Sequence, residues 1–314
     1  MATPAAPTHA ARQHAGLGIA LRVGAMAVFA VMSALVKWTG AHGVPVFEII
    51  FFRNAFAFVP LGLYIARTTG WRVLHTQRPL GHLARSAIGL GGMVLSFSAL
   101  QHLPLTTATA FAFAAPVFMT AMSAPILREH VGVHRWAAVV VGFLGVLVMI
   151  RPDPSHFTLL GSGFALGGAV CSAGAMTAIR EIGKTERGPT IVFYFTLGGV
   201  LLGLAGLPFG WVMPSPTMLA LLVLMGLFGG VGQLLQTEAM RVAQPGVVAP
   251  FDYTQLVWAS LIGFAVWGER PDPWTLTGAA IVAASGIYIL YRELRGLRIR
   301  AELREADRLR AVTR

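Results

Sequence analysis

The residues with the chemistry to recognise a solute are Arg53, Phe113, Gln233, Gln236, Asp252, Tyr253 and Trp258, all placed within long apolar stretches. An ionisable group surrounded by lipid-soluble residues is costly unless it faces a cavity or a partner, so each such group is a functional candidate by default. Arg53 either attracts an anionic or carboxylate-bearing part of a solute, or pairs with backbone carbonyls or a glutamate to hold two helices together. Asp252 lies in Pro250-Phe251-Asp252-Tyr253-Thr254-Gln255. Polar groups, an aromatic ring and a helix-weakening proline coincide there, the pattern of a bent or discontinuous helix lining a cavity. An aspartate in that setting accepts a proton or cation, or receives the cationic group of a solute. Gln233 and Gln236 are i,i+3 neighbours, and their amides either bridge helices or line a wet pocket. Phe111, Phe113, Tyr253 and Trp258 offer rings to a planar solute or serve as ordinary packing.

A second set sits near the ends of the apolar stretches. Lys37 and Glu48 are close enough in sequence to form an ion pair or an extracellular gate. Glu129 and Glu269 end two stretches of similar pattern and are expected to cap or bridge helices, or to gate. His130 and His134 are four residues apart beside Glu129 but lack a third ligand, so neither a metal site nor a cofactor is expected. The single cysteine, Cys171, rules out a disulfide framework or a multi-cysteine metal centre. No Gly-x-x-x-x-Gly-Lys-Ser/Thr loop is present to cradle nucleotide phosphates. Ser162, in Gly161-Ser162-Gly163, is the one nucleophile-like motif. It supports an alternative reading, a membrane-embedded enzyme acting on lipid or peptide bonds, but no base accompanies it apart from His102 at a stretch end, so no catalytic residue is assigned.

The elements that must position these groups follow from composition. Of 314 residues, 55% are hydrophobic and only 12% are charged, which excludes an ordinary soluble domain. Apolar blocks at 17–37, 45–66, 84–102, 105–127, 136–150, 158–179, 189–210, 217–238, 246–267 and 274–291 predict ten membrane-spanning helices. The block at 136–150 is short and must extend past Arg135 or sit in thinned bilayer. Proline and glycine breakers fill the connections, as at Arg78-Pro79 and Pro271-Asp272-Pro273. The net charge of +11 raises the question of nucleic acid, but the cations lie in short loops, a pattern of membrane topology. With the N-terminus inside, nineteen Lys and Arg fall on the inner side and three outside, leaving Arg22 and Arg53 in the membrane. Both termini are therefore expected in the cytoplasm, in an inner (plasma) membrane protein. Arg12 and Arg22 ahead of the first block mimic a signal peptide, yet cleavage would leave nine spans and spoil the alternation.

Pro104 to Glu129 with Trp136 resembles Pro245 to Glu269 with Trp274. Five spans per copy is an odd number, so the second copy enters from the opposite side. Inverted repeats place a binding site near the midplane and supply two related conformations, the architecture of a carrier. Lys37, Phe51-Phe52-Arg53, Leu103-Pro104-Leu105, Ala114-Ala115-Pro116, Arg128-Glu129 and Gly142-Phe143-Leu144-Gly145-Val146 resemble the EamA-type branch of the drug/metabolite transporter superfamily. Within the branch, the run from Arg78-Pro79 through Arg85 to Leu103-Pro104 and Ala108-Thr109 is similar to bacterial riboflavin and S-adenosylmethionine uptake carriers. The second-half position matching Pro116 is Leu256, a departure from a paired proline hinge. The resemblance implies an all-α integral membrane fold of ten helices in two inverted five-helix repeats, 17–150 and 158–291. These lie between a cytoplasmic segment at 1–16 and a basic cytoplasmic tail at 292–314. It also implies a secondary transporter for a small organic metabolite, zwitterionic or aromatic. Its expected partners are that solute, the lipid bilayer and a coupling proton or cation, with no nucleic acid.

Overall fold

The structure is a computed structural model that describes residues 9–115, 117–119, 122, 133–149, 159–183, 185–242, 249–288, 291–292 and 295. These residues form helices and short connections, with no strand among them. The helices are α1 (His9–Ala41), α2 (Val46–Thr68), α3 (Pro79–His102), α4 (Leu105–Ala112), α5 (Val133–Met149), α6 (Leu159–Ile182), α7 (Gly188–Ala205), α8 (Pro216–Val242), α9 (Thr254–Trp267) and α10 (273–288). α1, α2, α3, α6, α7 and α8 are each long and apolar enough to cross a bilayer. Large apolar side chains such as Leu63, Val140, Leu201 and Phe264 face outward, as they must where the surrounding medium is hydrocarbon.

Most helix ends follow local sequence rules. Pro79 stands in the first turn of α3, where its missing N–H costs no hydrogen bond. Asp272 caps α10 by accepting from the N–H groups of Trp274 and Thr275 at 3.1 and 3.0 Å. Gly268, with φ of 67°, closes α9 in a left-handed turn that a residue with a Cβ adopts only under strain. Val133 begins α5 ahead of Arg135, so the short block does extend through the arginine, as length required. Trp136 and Trp274, at the starts of α5 and α10, are exposed to similar degrees.

α2 carries Arg53 and is seated by glycines. A Cβ at Gly199 would collide with Asn54, and one at Gly203 with the backbone of Phe51. On the opposite side, a Cβ at Gly226 would meet Phe56, and one at Gly230 would meet Pro60. The spacings Gly199/Gly203 and Gly226/Gly230 thus press α7 and α8 directly onto α2, using small residues as the contact surface. Phe51 and Phe52 complete the seat against Trp211, with ring centroids 5.2 and 6.1 Å away.

α4 and α9 depart from regular helix at comparable places. In α4, the N–H groups of Phe113 and Ala114 donate to Ala110 and Phe111, three residues back, before Phe118 resumes the four-residue pattern to Ala114. α9 is preceded by a 3₁₀ turn, Ala249–Tyr253. Such tightened turns inside a span are common at functional hinges. The described part of the expected span, 249–267, therefore contains two kinds of helix, the 3₁₀ turn with Pro250 and the α-helix that follows it.

Candidate functional site

The 3₁₀ turn before α9 sets Asp252 and Tyr253 facing different neighbours. Asp252 pairs with Arg22 of α1: the Nε donates to Oδ1, and Nη2 donates to Oδ2 at 2.6 Å. The two parallel hydrogen bonds match the planar guanidinium to the carboxylate. Arg22 is 3% exposed and keeps Nη1 buried without a partner, so Asp252 is the one carboxylate it meets among the described residues. Tyr253 meets Phe113 edge to face, with centroids 4.9 Å apart, so the irregular parts of α4 and α9 touch through an aromatic pair. Phe113 belongs to a buried cluster with Phe111, Val117 and Val282. Trp258 is half-buried one turn into α9, with its indole N–H buried and unpartnered.

A second ion pair joins α1 to the far end of α9. Lys37 Nζ donates to Glu269 Oε1 at 2.5 Å and to the Leu103 carbonyl at 2.8 Å. Glu269 Oε2 accepts the Leu105 N–H at 2.9 Å, capping the first turn of α4. Lys37 also lies over the Trp267 ring, 5.3 Å from its centroid. The expected Lys37–Glu48 pair does not form. Glu48 instead accepts the Val212 N–H at 3.0 Å, because its place on α2 faces the segment following α7.

Arg53 and Gln233 come together elsewhere, along a narrow cleft between α2, α7 and α8 that Tyr64, Thr196 and Thr237 also line. Arg53 donates Nη1 to Asn54 Oδ1 at 2.8 Å, and Asn54 is itself fixed by donating to the Ile50 carbonyl at 2.7 Å. Glu238 accepts the Tyr64 hydroxyl at 2.6 Å at the same α2–α8 contact. Gln236 is half-buried on α8 and does not line this cleft. The residues expected to form one site are therefore distributed over two, one at the α1–α4–α9 junction and one in the α2–α7–α8 cleft.

Two arginines carry more of the geometry than their sequence positions suggest. Arg22 is the partner of Asp252, and Arg85 is only 9% exposed within α3 although the charge count places it on the inner side. The signal for Arg85 was Pro79: a helix starting there carries Arg85 two turns inward. Ser162 is buried in α6. Glu129, His130, Pro116 and the basic tail lie outside the described residues, apart from isolated positions in that tail, as does the side chain of His134. No group of three His, Cys, Asp or Glu side chains able to hold a metal occurs among the described residues.

At the end of the bundle where α6 gives way to α7, Glu186 ties two loops together. Desolvation raises its carboxyl, but hydrogen bonds from the Thr76 hydroxyl and the Gln77 N–H, with His82 nearby, outweigh that and hold it below the usual carboxylate value. Thr190 and Tyr194 reinforce the junction by donating to the Val73 and Leu74 carbonyls at 2.6 and 3.0 Å.

The family model for the EamA-like transporter family matches residues 16–151 and again 159–292, once for each five-helix half. An S-adenosylmethionine uptake transporter of Rickettsia prowazekii is 28% identical, over 80% of this chain and 85% of its own. A pseudopaline exporter of Pseudomonas aeruginosa is 30% identical, over 86% and 94%. A riboflavin transporter of Rhizobium johnstonii is 29% identical, over 85% and 88%. A solved crystal structure, 18% identical, superposes with a TM-score of 0.61 over 90% of this chain and 99% of the other, and shares its fold. The chain, a multi-pass membrane protein of two inverted five-helix repeats, belongs to the EamA-like transporter family.

Proposed function

We propose that the protein is a secondary transporter that moves a small organic metabolite across the inner (plasma) membrane by alternating access, with both termini in the cytoplasm. The observation that carries this reading is the way α1 is fastened to both ends of the α9 segment. Arg22–Asp252 joins them at one end, beside the Phe113–Tyr253 contact, and Lys37–Glu269 joins them at the other; with the termini inside, the first end faces the cytoplasm and the second the outside. Breaking one pair while keeping the other opens a path from one face only, which is the requirement of a carrier. Lys37 and Glu269 act as the outer gate, with Glu48 steadying α2 beside it. Glu129, the repeat-related counterpart of Glu269, serves the opposite surface. Asp252, once released from Arg22, accepts the coupling proton or cation. Arg53 and Gln233 contact the solute in the α2–α7–α8 cleft, and Phe113, Tyr253 and Trp258 meet it at the α4–α9 junction as the bundle rearranges. Relatives named for uptake and for export support transport in general and leave direction to the imposed gradient. The test is uptake into proteoliposomes against amino acids, riboflavin, S-adenosylmethionine, nucleosides and polyamines. Saturable flux of at least one solute class, lost in Lys37→Ala, supports the reading. Absence of flux across the panel with folded protein refutes it.

A further inference from the structure

Arg53 on α2 and Arg85 on α3 are 3% and 9% exposed, and neither has a carboxylate partner among the described residues. Arg53 spends one nitrogen on Asn54 and keeps Nε buried without a partner. Arg85 stacks 3.7 Å above the Phe195 ring and keeps Nε and Nη1 buried without partners. The two come to the same stretch of α7: a Cβ at Gly199 would meet Asn54, the neighbour of Arg53, and one at Gly198 would meet Ser86, the neighbour of Arg85. Glu238 is engaged by Tyr64, Asp252 by Arg22 and Glu269 by Lys37, and Glu48 accepts the Val212 N–H and pairs with neither arginine. Two like charges buried together without a counter-charge are unfavourable, so the arrangement calls for a negative group that no described residue provides.

The surroundings keep room for both guanidiniums. A Cβ at Gly229 would lie 3.1 Å from Arg53 Nε, and one at Gly89 would lie 3.0 Å from Arg85 Nη1. Arg53 lines the cleft with Thr196 and Gln233, and Arg85 lies behind it against Phe195, the residue before Thr196 on α7. Guanidinium forks favour planar or tetrahedral oxyanions, which accept two parallel N–H groups at once.

We infer that Arg53 and Arg85 form the binding site for a carboxylate or phosphate group of the transported solute, so that the solute class is an organic molecule bearing an oxyanion. This rests on the carrier reading and narrows it. The test uses two matched pairs, glutamate against glutamine and riboflavin 5′-phosphate against riboflavin, with the full-length protein in detergent. A ligand that binds the folded state raises its apparent melting temperature. The anionic member of at least one pair raises it and the neutral member does not; which pair responds distinguishes carboxylate from phosphate. Arg53→Gln and Arg85→Gln each weaken that binding roughly ten- to hundredfold, the range for a lost charged hydrogen bond. Arg67→Gln, exposed on the last turn of α2, leaves it unchanged. Where a Gln variant does not fold, Arg53→Lys and Arg85→Lys retain the charge, lose the fork and still weaken binding severalfold.

Equal protection by both members of each pair, no protection by either anion at millimolar concentration, or anion binding unchanged in the arginine variants overturns the inference. Saturable flux of a neutral solute, indifferent to both arginines, also overturns it and leaves the carrier reading intact. Oxyanion binding with no flux of any solute keeps the site and removes the carrier.

Discussion

Replacing Asp252 with asparagine preserves the size of the side chain and removes the one negative charge that pairs with Arg22 among the described residues. Removing one partner of a buried ion pair costs about 3–5 kcal/mol, chiefly because the other charge stays buried and unmatched. Asp252 is 33% exposed, so water relieves part of the loss and the low end, about 3 kcal/mol, applies. At about 1.4 kcal/mol per tenfold, that is roughly a hundredfold shift between states with and without the α1–α9 contact. The assay is solute counterflow in proteoliposomes at matched protein content, read beside the melting temperature in detergent. Asp252→Asn is expected to lower both. The double variant Arg22→Gln with Asp252→Asn leaves no unmatched charge at this contact, so it recovers melting temperature relative to Asp252→Asn alone while counterflow stays below the parent. Parental flux and melting temperature in Asp252→Asn would refute the assignment of this pair as a gate.

Exchanging charges in Lys37→Glu with Glu269→Lys is expected to recover part of the flux lost in either single variant, measured by the same counterflow assay. Gly203→Ala sets a Cβ against the Phe51 backbone and should cost about 1–3 kcal/mol by overpacking, seen as a lower melting temperature; an unchanged value would mean α7 and α2 are not in this contact. Because the Glu186 carboxyl is held below its ordinary value of 4.5, its stabilising effect is complete above that value and is lost as pH falls through the lowered one. A melting curve taken down through the acidic range should therefore lose stability there in the parent, and this part of the loss should be absent in Glu186→Gln.

The legible part of the fold was the part fixed by one-dimensional physics. Uninterrupted apolar blocks, charge asymmetry between loops and the Pro104–Glu129 and Pro245–Glu269 likeness yield the helices and the repeat, because each depends on composition over many residues. Pairing was harder to read. Lys37 lies eleven residues from Glu48 and 232 from Glu269, and proximity along the chain favoured the wrong partner. The direction a side chain takes from its helix, not sequence distance, decided the outcome, and Glu269 won because it also caps α4. Asp252 stood out as an acid beside a proline, but its partner Arg22 is 230 residues away and nothing local to either residue links them. Arg85 was hidden for a different reason. Loop counting takes any cation near a block boundary as external, whereas Pro79 starts the helix early enough to bury it.

The most direct test of alternating access joins the two α1–α9 contacts covalently, one at a time. In a Cys171→Ser background, Lys37→Cys with Glu269→Cys, or Arg22→Cys with Asp252→Cys, is reacted with a short bis-maleimide in proteoliposomes, and solute counterflow is compared before and after. The account predicts that whatever counterflow each unlinked variant retains is abolished by linking either end, since each conformation requires one contact to open. Counterflow that continues unchanged with either the Lys37–Glu269 pair or the Arg22–Asp252 pair linked would contradict it.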